Sequence, residues 1–244
     1  MADLSLKATA ASCLGMTPPF SVNSDVYGYI FRDENGTLFG GTPQPRSLRQ
    51  QLELMKGKAI NICIFLVGHE NDFSGVVTRA QVVSVQQAIQ VVRDIYSQAS
   101  LGVRKLFWQR IGVTEALDYL IISDSAEAAD LTDDFSGPND GIDVFFVQSI
   151  LDAGGWSKTK GPCDKDAKDV MTGSVVELSS SILGILTGHE VGHYLGLKHD
   201  GTITNLMGID SNDDGIGELD STSTNLTSTQ ASTMREHCAV RSSC

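Results

Sequence analysis

The sequence of 244 residues contains no run of about 18 apolar residues, so no segment of it is expected to span a membrane. The N-terminal stretch MADLSLKATAASCLG lacks a basic start followed by a long apolar core, and it therefore does not resemble a secretory signal peptide. From this stretch we expect a protein that stays inside the cell, leaves it by another route or has lost its signal.

Basic residues are also scarce. There are 18 lysines and arginines against 30 aspartates and glutamates, which gives a formal net charge of −12, and the basic residues are scattered along the chain. Proteins that bind nucleic acid or anionic membranes usually gather their basic residues into a patch. We therefore expect neither partner, and a neutral or cationic substrate fits the charge better.

Cysteine is limited to five residues with no CxxC pair: Cys13, Cys63, Cys163, Cys238 and Cys244. The odd number and the irregular spacing indicate neither a zinc ribbon nor a dense disulfide framework. Cys63 lies in an apolar run, which predicts a buried thiol. Cys163 has two candidate disulfide partners, Cys238 and Cys244, and the sequence does not decide between them.

The composition divides the chain near residue 58. Residues 1–58 hold a hairpin signal around Asn35-Gly36 and a short predicted helix that ends at Gly57. We interpret them as an N-terminal segment or small subdomain, and residues 59–244 as the main domain.

The main domain alternates apolar runs with stretches of helical spacing. Predicted strands cover residues 59–68, 104–113, 118–123, 141–150 and 173–178, the last being a candidate edge strand. Predicted helices cover residues 78–102 and 181–197. The acidic stretch 127–140 is predicted to be a solvated loop rather than a calcium site. Together these elements predict an α/β layer in which sheet and helices share one core.

Three of the five histidines fall within the stretch GHEVGHYLGLKH. His189 and His193 are four residues apart, so on a helix both imidazoles project from one face toward a shared metal ion. Glu190 lies beside that ion, where a carboxylate can take a proton from an activated water. Gly196 allows the chain to turn sharply, so His199 can approach the same ion. Three neutral nitrogen ligands leave a tetrahedral zinc with one open position, which is typical of a catalytic site.

A bare HExxH pattern also occurs by chance, and a lone buried histidine is usually only a hydrogen-bonded core residue. The longer pattern HExxHxxGxxH fixes five positions and favours zinc. It resembles the metzincin clan of zinc endopeptidases, and NLMG, which follows, is similar to that clan's Met-turn, with Met207 as an apolar floor beneath the metal. The separation of His199 from Met207 is similar to the matrixin branch, whereas Asp200 is similar to the adamalysin pattern.

The resemblance implies a metzincin-like catalytic domain of mixed α/β (α+β) class, with a twisted mixed sheet, a long backing helix, an active-site helix and a C-terminal helix. Residues 226–238 resemble that last helix. In some clan members a tyrosine lies two residues beyond the methionine, but this chain has Ile209 there, and no such role is assigned.

The function implied by the resemblance is zinc-dependent hydrolysis of peptide bonds inside protein or peptide substrates. Zinc held by His189, His193 and His199 activates a water molecule, and Glu190 acts as general base and then general acid. The alternative is a zinc-containing binding module or inactive homologue of the same fold, against which the presence of Glu190 speaks. The resemblance favours a secreted location, while the missing signal leaves a cytoplasmic or non-classically exported protein open. The oligomeric state is left open.

The segment after Met207 begins like a calcium-binding loop, but its twelfth position is serine, so it does not match an EF-hand. A differently shaped calcium site and a solvated turn are both open, because aspartate, asparagine and glycine also form turns. The candidate calcium ligands are Asp210, Asn212, Asp214, Glu218 and Asp220.

The N-terminal segment contains two candidate latency switches. Cys13 could occupy the fourth position of the zinc, as a leader cysteine does in matrixin-like enzymes, and Asp25 could do so through its carboxylate. The alternative is that residues 1–58 are a structural addition.

Overall fold

β1 (Lys58–Val67) is an inner strand of a mixed sheet. In the computed structural model, residues 57–70, 75–167, 170–208 and 219–242 are described. β1 pairs in parallel with β2 (Leu101–Ile111) and with β4 (Ile142–Val147). β4 pairs in parallel with β7 (Gly173–Glu177), and β6 (Gly155–Ser157) pairs antiparallel with β7, so the strand order is β2-β1-β4-β7-β6. Two further short strands pair with each other, β3 (Ile121–Ile122) and β5 (Ser149–Ile150), and β8 (Arg241–Ser242) pairs with the start of β1.

Helices cover both faces of this sheet. The long α1 (Arg79–Tyr96) and the helix α3 (Leu183–Tyr194) pack in the larger apolar core, together with Ile60, Ile62 and Ile64 of β1. The smaller core on the other face joins Cys63 and Phe65 to α2 (Ser125–Phe135). Alternate residues of β1 therefore serve two cores, as expected for a strand covered on both faces. The expected α/β class and mixed sheet are confirmed.

The helix that backs the sheet, α1, begins where the sequence predicts it. Thr78 and Gln81 form a reciprocal capping box at its start. The predicted end at Gly102 is wrong, because the helix ends at Tyr96 and a short 3₁₀ turn follows. Ser100 then adopts a left-handed conformation with φ of 51°, and the chain enters β2 at Leu101.

The acidic stretch predicted as a loop is largely helical, since α2 covers Ser125–Phe135. The side chain of Asp124 accepts hydrogen bonds from the backbone N–H groups of Ala126 and Glu127 and so caps the helix. Ala128 and Leu131 of this helix are fully buried and form its apolar face. Local acidity suggested a loop, but a cap and an apolar face make a helix.

Two strand predictions also need correction. In the stretch 118–123 only Ile121–Ile122 form a strand, after a 3₁₀ turn at Leu117–Tyr119. The stretch 173–178 does contain β7, but β7 lies between β4 and β6 and is not at the edge. The edge beside it is β6, three residues that no strong pattern marks.

Outside the sheet, α4 (Ser228–Glu236) confirms the predicted C-terminal helix and begins with a capping box of Thr227 and Gln230. Cys163 is bonded to Cys238, which settles the choice of partner, and Cys63 is the buried thiol predicted for it. Residues 1–56, with the elements predicted before Gly57, lie outside the described residues, so the division near residue 58 stays a prediction. No helix in the described part of the chain is long and apolar enough to cross a membrane.

Substitution of the α2 cap provides a test of the corrected helix. Asp124→Ala should lower the free energy of unfolding by about 1 kcal/mol, because two backbone N–H groups lose their acceptor. Asp130→Ala, at an exposed position within the same helix, should change it by less than about 0.5 kcal/mol. Chemical denaturation measures both, and equal effects would contradict the cap.

Candidate metal centre

The end of α3 places the three predicted histidines around one point. His189 and His193 are buried one turn apart on the helix. The helix ends in a Schellman motif, in which Leu197 N–H donates to Gly192 O at 3.0 Å and Gly196 N–H donates to His193 O at 2.8 Å. Gly196 has a φ of +99°, as its predicted role in a sharp turn requires. The turn brings His199 back to the helix.

The ligand atoms of the three side chains all lie within 4.8 Å of one another. Nε2 of His193 and Nε2 of His199 are 3.0 Å apart. Two nitrogen ligands of a tetrahedral zinc, each about 2.0–2.1 Å from the metal, would be roughly 3.3 Å apart. The observed separation is close to that value.

The hydrogen bonds of two of these rings select the tautomer that binds metal. Nδ1 of His189 lies 2.8 Å from Leu206 O, and Nδ1 of His193 lies 2.9 Å from Leu197 O. A carbonyl oxygen only accepts, so each Nδ1 carries the proton and donates it. Each Nε2 therefore presents a lone pair toward the common point, as in known metal sites, where the second ring nitrogen of a histidine ligand usually donates to a carbonyl or carboxylate oxygen.

Burial also keeps the imidazoles neutral. Desolvation, with a smaller contribution from neighbouring histidines, lowers the pKa of His189 to about 3, and desolvation lowers that of His193 to about 4. Desolvation also lowers the pKa of the more exposed His199. Neutral imidazoles are metal ligands and imidazolium ions are not. The donor set therefore fits zinc, which these three residues could hold with one position left open.

Met207 lies directly against the helix turn that carries the histidines. It is fully buried, and its backbone N–H donates to Asn205 Oδ1 at 2.9 Å within a tight turn. A Cβ added at Gly192 would be 2.9 Å from the Met207 sulfur, so only glycine allows this approach. The predicted methionine is thus placed beneath α3.

Glu190 is buried on the inner side of α3, against the start of β6. A Cβ added at Gly155 would lie 2.6 to 2.8 Å from the Cγ, Cδ and Oε1 atoms of Glu190. Gly155 therefore leaves the space that the carboxyl group occupies. Burial raises the pKa of Glu190 to about 8.

Sequence reasoning missed Gly155 and the carbonyl groups of Leu197 and Leu206. The carbonyl groups leave no trace in a sequence pattern, because every residue has one. Gly192 carried a weak signal, since glycine recurs at every fourth position at 184, 188 and 192, on one face of α3.

Most residues of the latency and calcium predictions lie outside the described residues. Cys13 and Asp25 fall outside the described residues, so the latency switch stays a prediction. The same holds for four candidate calcium ligands, Asp210, Asn212, Asp214 and Glu218. Asp220 is described, and it accepts hydrogen bonds from the backbone N–H and hydroxyl of Thr222, both at 2.6 Å. This is the turn-forming role that was the alternative to calcium.

Comparison with known proteins gives limited similarity. No family model and no curated protein matches the sequence. Metalloproteinase-II from Bacteroides fragilis is similar with a TM-score of 0.48 and 12% identity over 93% of this chain, which spans 60% of that structure's length. Archaemetzincin from Methanopyrus kandleri is similar with a TM-score of 0.48 and 13% identity, over 73% of this chain and 95% of its own. Similarity at this level does not assign the chain to a family.

The raised pKa of Glu190 predicts an unusual pH dependence of stability in the metal-free protein. Between its ordinary pKa of 4.5 and about 8, folded Glu190 keeps a proton that the unfolded chain releases, so stability falls as pH rises. From about pH 5 to about pH 8 the wild type should lose roughly 1–3 kcal/mol of unfolding free energy relative to Glu190→Gln.

Chemical denaturation with a chelator present measures this difference. The histidines titrate in both proteins, so the comparison isolates Glu190. Parallel pH profiles of the two proteins would show that the carboxyl group is not desolvated in the fold.

Proposed function

We propose that this chain is a zinc-dependent endopeptidase, with His189, His193 and His199 as the zinc ligands. The observation that carries the proposal is the convergence of three neutral imidazoles, two with Nδ1 bound to a backbone carbonyl, next to a buried carboxyl group on the same helix. When bound, zinc lowers the pKa of water to about 7 and polarises the carbonyl group of the substrate.

Glu190 supplies the acid and base. It follows His189 directly, so its carboxylate can accept the proton of a water that attacks the scissile carbonyl. The same group then delivers that proton to the nitrogen of the leaving amine. Burial raises the pKa of Glu190, and a zinc ion beside it would lower that pKa. The two effects together favour a pKa near neutrality, at which one group can both accept and deliver the proton.

β6 supports an extended peptide as the substrate. Within the described residues it pairs only with β7, and its other edge has no partner strand there. It begins at Gly155, beside Glu190. An extended peptide that adds to this edge would pass in front of the carboxyl group. Because an edge can hold a chain that continues in both directions, this arrangement favours cleavage within a chain over removal of terminal residues.

Met207 supports the resemblance to metzincins without a role in proton transfer. Its side chain packs against Gly192, one residue from His193, and forms an apolar floor under the ligand-bearing turn. We assign it a positioning role.

The test of this function is cleavage of casein and of a mixed peptide library by the wild type and by Glu190→Ala, at matched zinc content. The proposal expects cleavage at internal bonds by the wild type, loss of at least about 10²-fold in Glu190→Ala, and inhibition by a chelator that zinc reverses. Bound zinc without cleavage by the wild type would favour a zinc-containing binding module instead.

Gly155→Ala should lower turnover while zinc stays bound, because the added methyl group takes the space of the Glu190 carboxyl group. We expect a loss of about 10-fold or more, since misplacement of a catalytic group by about 1 Å costs up to about 10²-fold. Gly137→Ala is the matched control, because a Cβ there has no neighbour within 4 Å. Steady-state kinetics and zinc content, measured on both variants, check this loss of turnover. Equal kinetics for the two variants would contradict the placement of Glu190.

A further inference from the structure

The connection between β6 and β7 is fastened to the C-terminal end of α3. Lys160 N–H donates to His193 O, and Gly161 N–H donates to Tyr194 O, both at 2.9 Å. These two carbonyl groups belong to the last turn of the helix, where intrahelical donors run out. One of them is the backbone carbonyl of a proposed zinc ligand. The position of the connection and that of His193 are therefore coupled.

The same part of the connection is fastened a second time, to the segment after α4. Nε2 of His237 donates to Gly161 O at 3.0 Å, and Ala239 N–H donates to Nδ1 of His237 at 3.2 Å, which fixes the tautomer. A disulfide joins the same two segments covalently, because Cys163, two residues after Gly161, is bonded to Cys238, which follows His237. Gly161 thus lies between the helix end and a covalent crosslink two residues away.

Tyr194 adds a third attachment. Its hydroxyl group lies 2.5 Å from Pro162 O and 3.1 Å from Thr172 O, both of them carbonyl oxygens of the connection. Its ring packs so closely on Gly161 that an added Cβ would overlap it. The residue next to His193 is therefore buried in the connection that the disulfide restrains.

The disulfide is accessible to a reductant, whereas the other cysteine of the described chain is not. Cys163 and Cys238 are exposed, and Cys63 is buried. Burial also raises the pKa of the Cys63 thiol to about 12, so it does not supply a thiolate for exchange. Exposed disulfides are the labile ones in proteins.

A deeper attachment would keep the fold intact after reduction. Nζ of Lys165 lies 2.9 Å from Oδ2 of the fully buried Asp143 and donates to Thr172 O at 3.2 Å. Asn139 Nδ2 donates to the other carboxylate oxygen of Asp143 at 2.9 Å. This ion pair holds the far part of the connection on β4. Reduction would therefore loosen mainly the part that contacts the end of α3.

We propose that the Cys163–Cys238 disulfide is a redox switch that sets the affinity of the three-histidine site for zinc. This inference rests on the proposed function. A thiolate of a dithiol reductant attacks one sulfur and forms a mixed disulfide, which its second thiol resolves. Two electrons and two protons pass to Cys163 and Cys238, and the reductant becomes a disulfide. The loosened connection then restrains His193 less.

We expect about tenfold weaker zinc binding in the reduced form. This is the low end of the about 10–100-fold loss that follows removal of groups that position a metal ligand, because Lys160 N–H holds the backbone of His193 and the ring keeps its own partner, Leu197 O. The experiment uses the full chain carrying Cys13→Ser and Cys244→Ser, so that Cys63 is its one other cysteine. Zinc affinity is measured by competition with a chromophoric chelator. The forms compared are the oxidised protein, the protein reduced by a phosphine, the reduced protein alkylated with iodoacetamide, and the variant Cys163→Ser/Cys238→Ser.

The alkylated form and the serine variant are needed because free thiols could bind zinc themselves. Cys163, Cys238 and His237 offer ligand atoms within 4.8 Å of one another. Neither form has a thiolate at these positions, so weaker binding there reports on the histidine site. Circular dichroism checks that each form is folded. If the serine variant is not folded, the alkylated form alone is compared with the oxidised protein.

The proposal expects weaker binding in the alkylated form and in the serine variant, and recovery of the affinity when the reduced, unalkylated protein is reoxidised. Equal affinity in all folded forms, with one zinc in the oxidised protein, would overturn the switch and leave the proposed function intact. An oxidised protein that binds no zinc would overturn the proposed function first, and the switch with it.

Discussion

The structure of the site depends on the close packing of α3 inside the larger core. Glycine makes this packing achievable, because a Cβ at Gly184 would lie 2.6 Å from Val91 of α1 and one at Gly192 would lie 2.9 Å from Met207. The hydroxyl of Tyr96 donates to Gly188 O at 2.8 Å and joins the two helices between these contacts. A helix enclosed in this way holds its polar side chains out of water. The lowered pKa of the histidines and the raised pKa of Glu190 both follow from that burial.

The parts of the fold that could be predicted are those with a local cause. A few neighbouring residues determine each of these parts: the periodicity of α1, the buried apolar run of β1 and the turn at Gly196. The acidic helix α2 was missed because its composition is typical of loops, and its burial depends on a core that the sequence does not display. The edge position of β6 was missed for a similar reason, since pairing with β7 joins residues far apart in the chain.

The same distinction applies to the site. The spacing of His189, His193 and His199 follows from helix geometry and a glycine turn, so their convergence could be predicted. The acceptors of two of their N–H groups are backbone carbonyls on a later loop, and the space for Glu190 is set by a glycine on another strand. Neither is visible without the fold. The disulfide partner of Cys163 was likewise open in the sequence, and its place beside the end of α3 gives it a role that spacing could not suggest.

The proposed function requires that His189, His193 and His199 hold one zinc ion and leave a position open for chemistry. X-ray absorption spectroscopy of the oxidised protein loaded with one equivalent of zinc tests it most directly. We predict three imidazole nitrogens at about 2.0–2.1 Å, with the multiple-scattering signature of imidazole, and a further light atom in the fourth position. A sulfur ligand at about 2.3 Å, or a site closed by four protein ligands, would contradict it.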